Sequence, residues 1–140
     1  MITKRTIGLR IVLILMGLFI ISSGLNIGLG GMLTLGWGGP NNFFEVTNMR
    51  PYLVQDSHVR FVGGIWLGIG LFFLIAATDL KKYKLNLCFS FALIFLGGLL
   101  RLAQMHFEIT FGLPVVGSLI AELVGMPLLY LWLTKVLQDS

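Results

Sequence analysis

The chain has 140 residues, 56% of them hydrophobic and only 11% charged, with a formal net charge of +4. Soluble domains carry about 25% charged residues, and the mean hydropathy here is +0.92. These values exclude an ordinary soluble domain and predict a single integral membrane domain over residues 1–140. A basic balance can signal nucleic acid, but the lysines and arginines here mostly flank apolar runs. They read as topology signals and headgroup contacts, so no nucleic-acid partner is expected. Cys88 is the only cysteine, which excludes an internal disulfide, a CxxC redox centre and a thiolate-rich metal site.

Met1 to Arg10 carries Lys4, Arg5 and Arg10. The apolar run that follows continues past Ser22 and Ser23 to Leu29, so a retained first span over about 9–29 is expected in preference to a cleaved signal. Residues 30–57 form the longest connection. They are rich in turn formers (Gly30, Gly31, Pro40, Asn41, Pro51) and in aromatics (Trp37, Phe43, Phe44, Tyr52), which predicts an interfacial loop lying on the membrane. The second span is expected over 59–78, where twenty residues give roughly 30 Å, the hydrocarbon thickness. Gly64 and Gly68 repeat at four-residue spacing, as do Gly24 and Gly28 on the first span. This small-xxx-small pattern predicts close helix packing, within the chain's own bundle rather than across a dimer.

Asp79 to Lys84 is a six-residue polar turn that makes the second and third spans antiparallel neighbours. The third span is expected over 85–105 and the fourth over 115–134, joined by His106 to Pro114. Pro127 removes a backbone donor inside the fourth span and leaves the Leu123 carbonyl without its usual partner, so a kink is expected there. The predicted fold is an all-α antiparallel bundle of four spans. Lys4, Arg5, Arg10, Lys81, Lys82, Lys84 and Lys135 fall on one side, against Arg50, Arg60 and Arg101 on the other. The excess marks the cytoplasm, so both termini are expected there.

Arg101 stands inside the third apolar run and keeps its charge at any ordinary pH, so a partner must satisfy it. Glu122 is the only acid inside a long apolar run. Counting from the span ends puts Arg101 roughly 6 Å deep and Glu122 roughly 12 Å deep on the outer side. Arg60 and Asn26 lie near the outer ends of the second and first spans. Asp56, His58, Gln104 and His106 sit just above. Gly97, Arg101 and Gln104 share one face of the third span, and Ser118, Glu122 and Gly125 share one of the fourth.

Two main readings stay open for this cluster. It is a structural network in which Glu122 pairs with Arg101 or Arg60, or it is an outer-leaflet recess whose surplus positive charge takes an anionic group. Catalysis or proton transfer by Glu122 with His58 or His106 is the weakest alternative. The histidines lack HxxxH or HExxH spacing, so no metal is expected, and no cofactor motif is present.

At HVRFVGGIWLGIGLFFL (58–74), FLGGLLRLAQM (95–105) and AELVGMPLL (121–129), the chain resembles a bacterial family of four-helix membrane proteins known as domain of unknown function 4345. The resemblance extends over about 9–134. Its distinctive positions fall on Arg60, Gly63, Gly64, Gly68, Gly97, Gly98, Arg101, Glu122 and Pro127. It implies a four-helix inner-membrane protein and supplies no reaction. More distantly the chain is similar to DoxX-type four-helix membrane proteins, some of them tied to quinone or thiol redox work, although it has no redox cysteine pair.

Three functions follow as expectations. The first is a non-enzymatic accessory subunit beside a larger inner-membrane protein, such as an RND-type or other exporter of lipids or hydrophobic compounds, or in envelope maintenance. The second is a lipid- or quinone-binding protein that uses Arg60 and Arg101 for the headgroup. The third is a membrane enzyme or proton-coupled carrier centred on Glu122. Membrane lipid is a partner in each case, and a homo-oligomer stays open.

Overall fold

In lipid the backbone has no water to bond to, so long apolar runs close their hydrogen bonds internally as helices. A computed structural model of the chain describes residues 4–34, 45–103 and 105–138. The order of elements is α1 (Lys4–Gly30), a 3-10 turn (Gly31–Thr34), α2 (Met49–Ala76), α3 (Lys84–Leu102), a short α4 (Phe107–Thr110), α5 (Leu113–Ile120), a π-helical turn (Ala121–Gly125) and α6 (Met126–Gln138). Among the described residues there is no strand.

Four stretches, Lys4–Leu33, Met49–Ala76, Lys84–Leu102 and Leu113–Gln138, are long and apolar enough to cross a membrane. At most 28% of the apolar window of any of them is buried. In water that exposure would be prohibitive. In a bilayer it is the surface that meets lipid or another helix. The chain is an all-α, multi-pass membrane protein.

It divides into two compact units, Met1–Arg10 with Thr78–Ser140, and Ile11–Ala77. In the unit Ile11–Ala77, α1 and α2 run antiparallel with their backbones close together. Gly17 faces Gly70, Gly24 faces Gly63 and Leu67, and Gly28 faces Gly63. A Cβ at Gly63 would fall on the backbone of Gly28, and one at Gly70 would come within 2.7 Å of the Ile21 nitrogen. Leu13, Ile20, Phe73 and Ala76 are buried.

The other unit packs α3 antiparallel to the π turn and α6. Its core is Leu87, Phe91, Ile94, Leu119, Met126, Leu129, Leu133 and Val136, with Leu9 from the first turns of α1. Trp132 lies over Gly8, where a Cβ would stand 3.2 Å from the indole.

The structure departs from the apolar pattern at three places. α2 begins at Met49, ten residues before the apolar run, because Asn48 caps it by accepting the Arg50 N–H. Pro51 then sits in the first turn, where its missing donor costs nothing. Asp56, Ser57 and His58, read as loop or loop edge, are therefore helical. α3 ends at Leu102, and Met105 follows with φ 60°. The fourth span is not one α-helix. The Met126 N–H reaches back to the Ala121 carbonyl, a wide turn that makes room for the Pro127 ring. The expected disturbance at Pro127 thus takes the form of a π turn on its N-terminal side.

Candidate functional site

Arg101 lies in the last turn of α3 and Glu122 in the π turn. The Arg101 Nε–H donates to Oε2 of Glu122 at 2.8 Å and the Nη2–H to Oε1 at 3.1 Å. The two groups meet as a fork on a carboxylate, the strongest geometry for such a pair. Glu122 is buried at 7% relative exposure, whereas the Arg101 side chain is 44% exposed. Among the described residues the third guanidinium nitrogen, Nη1, has no partner. Gly98, one turn before Arg101, makes the approach possible. A Cβ there would lie 2.8 Å from Cβ of Glu122 and 2.9 Å from Leu123. The hydroxyl of Ser118, on the same face as Glu122 in the sequence reading, turns back to the Val115 carbonyl instead.

Arg60 belongs to a different pair. Its Nε–H donates to Oδ2 of Asp56 at 2.6 Å, one turn earlier on α2. Its Nη1 donates to the carbonyls of Leu29 and Gly28 at the end of α1. Those carbonyls lack intrahelical partners and carry the negative end of the helix dipole, so a cation suits them. The other oxygen of Asp56 accepts the Met32 N–H at 2.8 Å. Gly31 connects the two with φ +62°, a left-handed turn that ends α1. A Cβ on Gly31 would also land on the Asp56 carboxylate. Asp56 and Arg60 together clamp the end of α1 to the start of α2.

The remaining candidate residues fall as follows. Asn26 is half-buried on α1, and His58 is exposed on α2. Gln104 lies outside the described residues, as do Trp37, Phe43 and Phe44 of the aromatic loop. Gly24 and Gly28 make close helix contacts, but a Cβ at Gly64, Gly68 or Gly97 would meet nothing within 4 Å. Their sequence neighbours Gly63 and Gly98 make those contacts. One residue is about 100° of helix, so a GG pair always splits between two faces, and periodicity alone does not say which glycine turns inward. Asp56 is the residue whose part sequence reasoning missed. Its i,i+4 spacing to Arg60 was visible, but only once both are helical is the pairing legible.

Chemically, the two arginines and two carboxylates cancel as two pairs. Among the described residues, what the arrangement leaves over is hydrogen-bond donation from Nη1 of Arg101 and Nη2 of Arg60, not net charge. Among the described residues no group of three or more His, Cys, Asp or Glu side chains is placed to hold a metal ion.

No curated protein and no solved structure matches the chain. The family described as Domain of unknown function (DUF4345) matches residues 8–133, a range that takes in both ion pairs, the whole of the second and third spans and most of the first and fourth, and the chain belongs to that family.

Proposed function

We propose that this chain is a non-enzymatic accessory subunit that docks beside a larger protein of a bacterial inner membrane, in a complex for transport or envelope maintenance. The observation that carries this is the face of α2 holding Gly64 and Gly68. Both glycines are exposed, and among the described residues nothing lies within 4 Å of where a Cβ would stand. The same chain uses Gly24, Gly28 and Gly63 to bring two helices together. Small residues at four-residue spacing let a partner helix approach, since van der Waals packing at close range drives association in lipid. Leu71 and Ile75 continue that face and are 48% and 52% exposed. The lysine and arginine excess at the two chain ends and at residues 81–84 supports cytoplasmic termini.

The test is co-purification after mild detergent extraction, with wild type and Gly64→Leu/Gly68→Leu compared. Recovery of a larger membrane protein with wild type, and its loss from a variant that is still helical and monodisperse, is the expected result. Equal recovery in both, or none with wild type, contradicts the reading.

A second reading is favoured by one observation. Among the described residues nothing accepts from Nη1 of Arg101, which leaves it to donate to a lipid or quinone headgroup. Because Glu122 already neutralises Arg101, this contact would rest on a hydrogen bond and not on surplus charge. Mass spectrometry of lipids carried by wild type and Arg101→Ala tests it, and unchanged retention rejects it.

A further inference from the structure

Between α3 and α5 the chain turns its large apolar side chains outward. Met105 is 75% exposed, Phe107 55%, Ile109 55%, Phe111 56% and Leu113 93%. Phe107 and Phe111, four residues apart, stack on each other with centroids 6.3 Å apart rather than on the core. Thr110 is the side chain that turns inward, at 3% exposure. Exposed apolar clusters of this kind mark a surface that is covered in use.

The backbone points to what covers it. The N–H groups of Ile109 and Thr110 donate to the His106 carbonyl, that of Phe111 to Phe107, and that of Gly112 to Ile109. Those of Val115 and Val116 then donate to Gly112. Among the described residues the amides of His106, Phe107 and Glu108 donate to no backbone carbonyl, so the turn is closed only in part, which suits the hydrated interfacial layer rather than the hydrocarbon centre. The cluster also continues the exposed apolar surface of α3 at Leu99 and Leu100, 43% and 65% exposed, onto Leu113, the first residue of α5. His106 and Glu108 are its ionisable side chains and are both exposed. Glu108 stands about 100° round the turn from both Phe107 and Ile109, one exposed carboxylate among exposed apolar side chains.

We infer that Met105–Leu113 is a bilayer-inserting anchor. It lies in the interfacial layer with Phe107, Phe111 and Leu113 among acyl chains and Glu108 toward the headgroups. This inference is independent of the docking face on α2.

The test uses the full chain with Cys88→Ser, spin-labelled singly at Phe107→Cys, Phe111→Cys or Glu108→Cys, in phosphatidylethanolamine–phosphatidylglycerol vesicles. Leu96→Cys, at a lipid-facing position inside α3, is the control. Electron paramagnetic resonance then measures collision with oxygen, which concentrates in lipid, and with a water-soluble nickel chelate. Oxygen access several-fold above nickel access at 107 and 111, with the order reversed at 108, is the expected result. Nickel access at 107 and 111 equal to that at 108 places the segment in water and overturns the inference. Shielding from both reagents overturns it too, since a protein then covers the segment. Phe111→Trp, which keeps the aromatic bulk, gives a second measurement in the Cys88-containing chain. The fluorescence it adds is quenched by brominated lipid if the anchor inserts, and by aqueous iodide if it does not.

Discussion

Arg101 and Glu122 show how one buried carboxylate governs its surroundings. Glu122 has 7% exposure and both its oxygens are bonded to one guanidinium. Arg101→Ala leaves that carboxylate uncompensated, and the expected loss of stability in detergent is about 3–5 kcal/mol, read from chemical or thermal unfolding. Arg101→Lys keeps the charge but not the fork, so a smaller loss of about 1–2 kcal/mol is expected. Adding Glu122→Gln to Arg101→Ala should recover part of the loss. No recovery would mean that the pair is not what holds these groups.

Gly31 is held by two separate constraints, its left-handed φ and the Asp56 carboxylate beside it. Gly31→Ala should cost more than the roughly 1–2 kcal/mol of left-handed strain, because the Asp56 clamp must open as well. A loss confined to that figure would show that the clamp yields freely. Arg101 and Glu122 stood out in the sequence because ionisable groups are rare inside apolar runs. Asp56 did not, because it lies before the apolar stretch and its helical turn depends on the Asn48 cap.

Two elements carry the packing argument. Gly63 and Gly64 are adjacent, yet one meets backbone and the other meets nothing. Gly63→Leu should part α1 from α2 and expose the amides of both to hydrogen exchange, whereas Gly64→Leu should leave the isolated protein's exchange unchanged. Similar effects from the two substitutions would contradict the assignment of faces. The π turn gives a second test. Pro127→Ala supplies the missing N–H and lets residues 121–125 return to α geometry, which rotates Glu122 away from Arg101. The losses from Pro127→Ala and Arg101→Ala should then be non-additive in a double-mutant cycle, and additive losses would separate the turn from the pair. From sequence, Pro127 announced a disturbance. Whether it would be a kink or a wide turn depends on which carbonyls the surrounding packing can leave free, and local residues do not encode that.

At the scale of the whole molecule, four apolar stretches made the membrane class and the all-helical fold legible from composition and run length alone. The chemistry of the polar residues was legible only in part. Identifying them needed no structure, but their pairing did, since helix rotation and the true start of α2 decide which arginine meets which acid. The result is two neutral pairs, each inside one unit, and a face of α2 on which, among the described residues, a Cβ at Gly64 or Gly68 meets nothing within 4 Å. Arg60 and Arg101 are paired within the chain, and among the described residues the small-residue face of α2 is uncovered, which is the feature the proposed docking role rests on.

Photo-crosslinking in native membranes tests that claim most directly. A photoreactive residue replaces Leu71, on the Gly64–Gly68 face of α2, or Leu96 on α3 as control. The account predicts a discrete adduct with one larger membrane protein from position 71, abolished by Gly64→Leu/Gly68→Leu, and lipid adducts alone from position 96. Lipid adducts alone from both positions, or the same protein adduct from both, would contradict it.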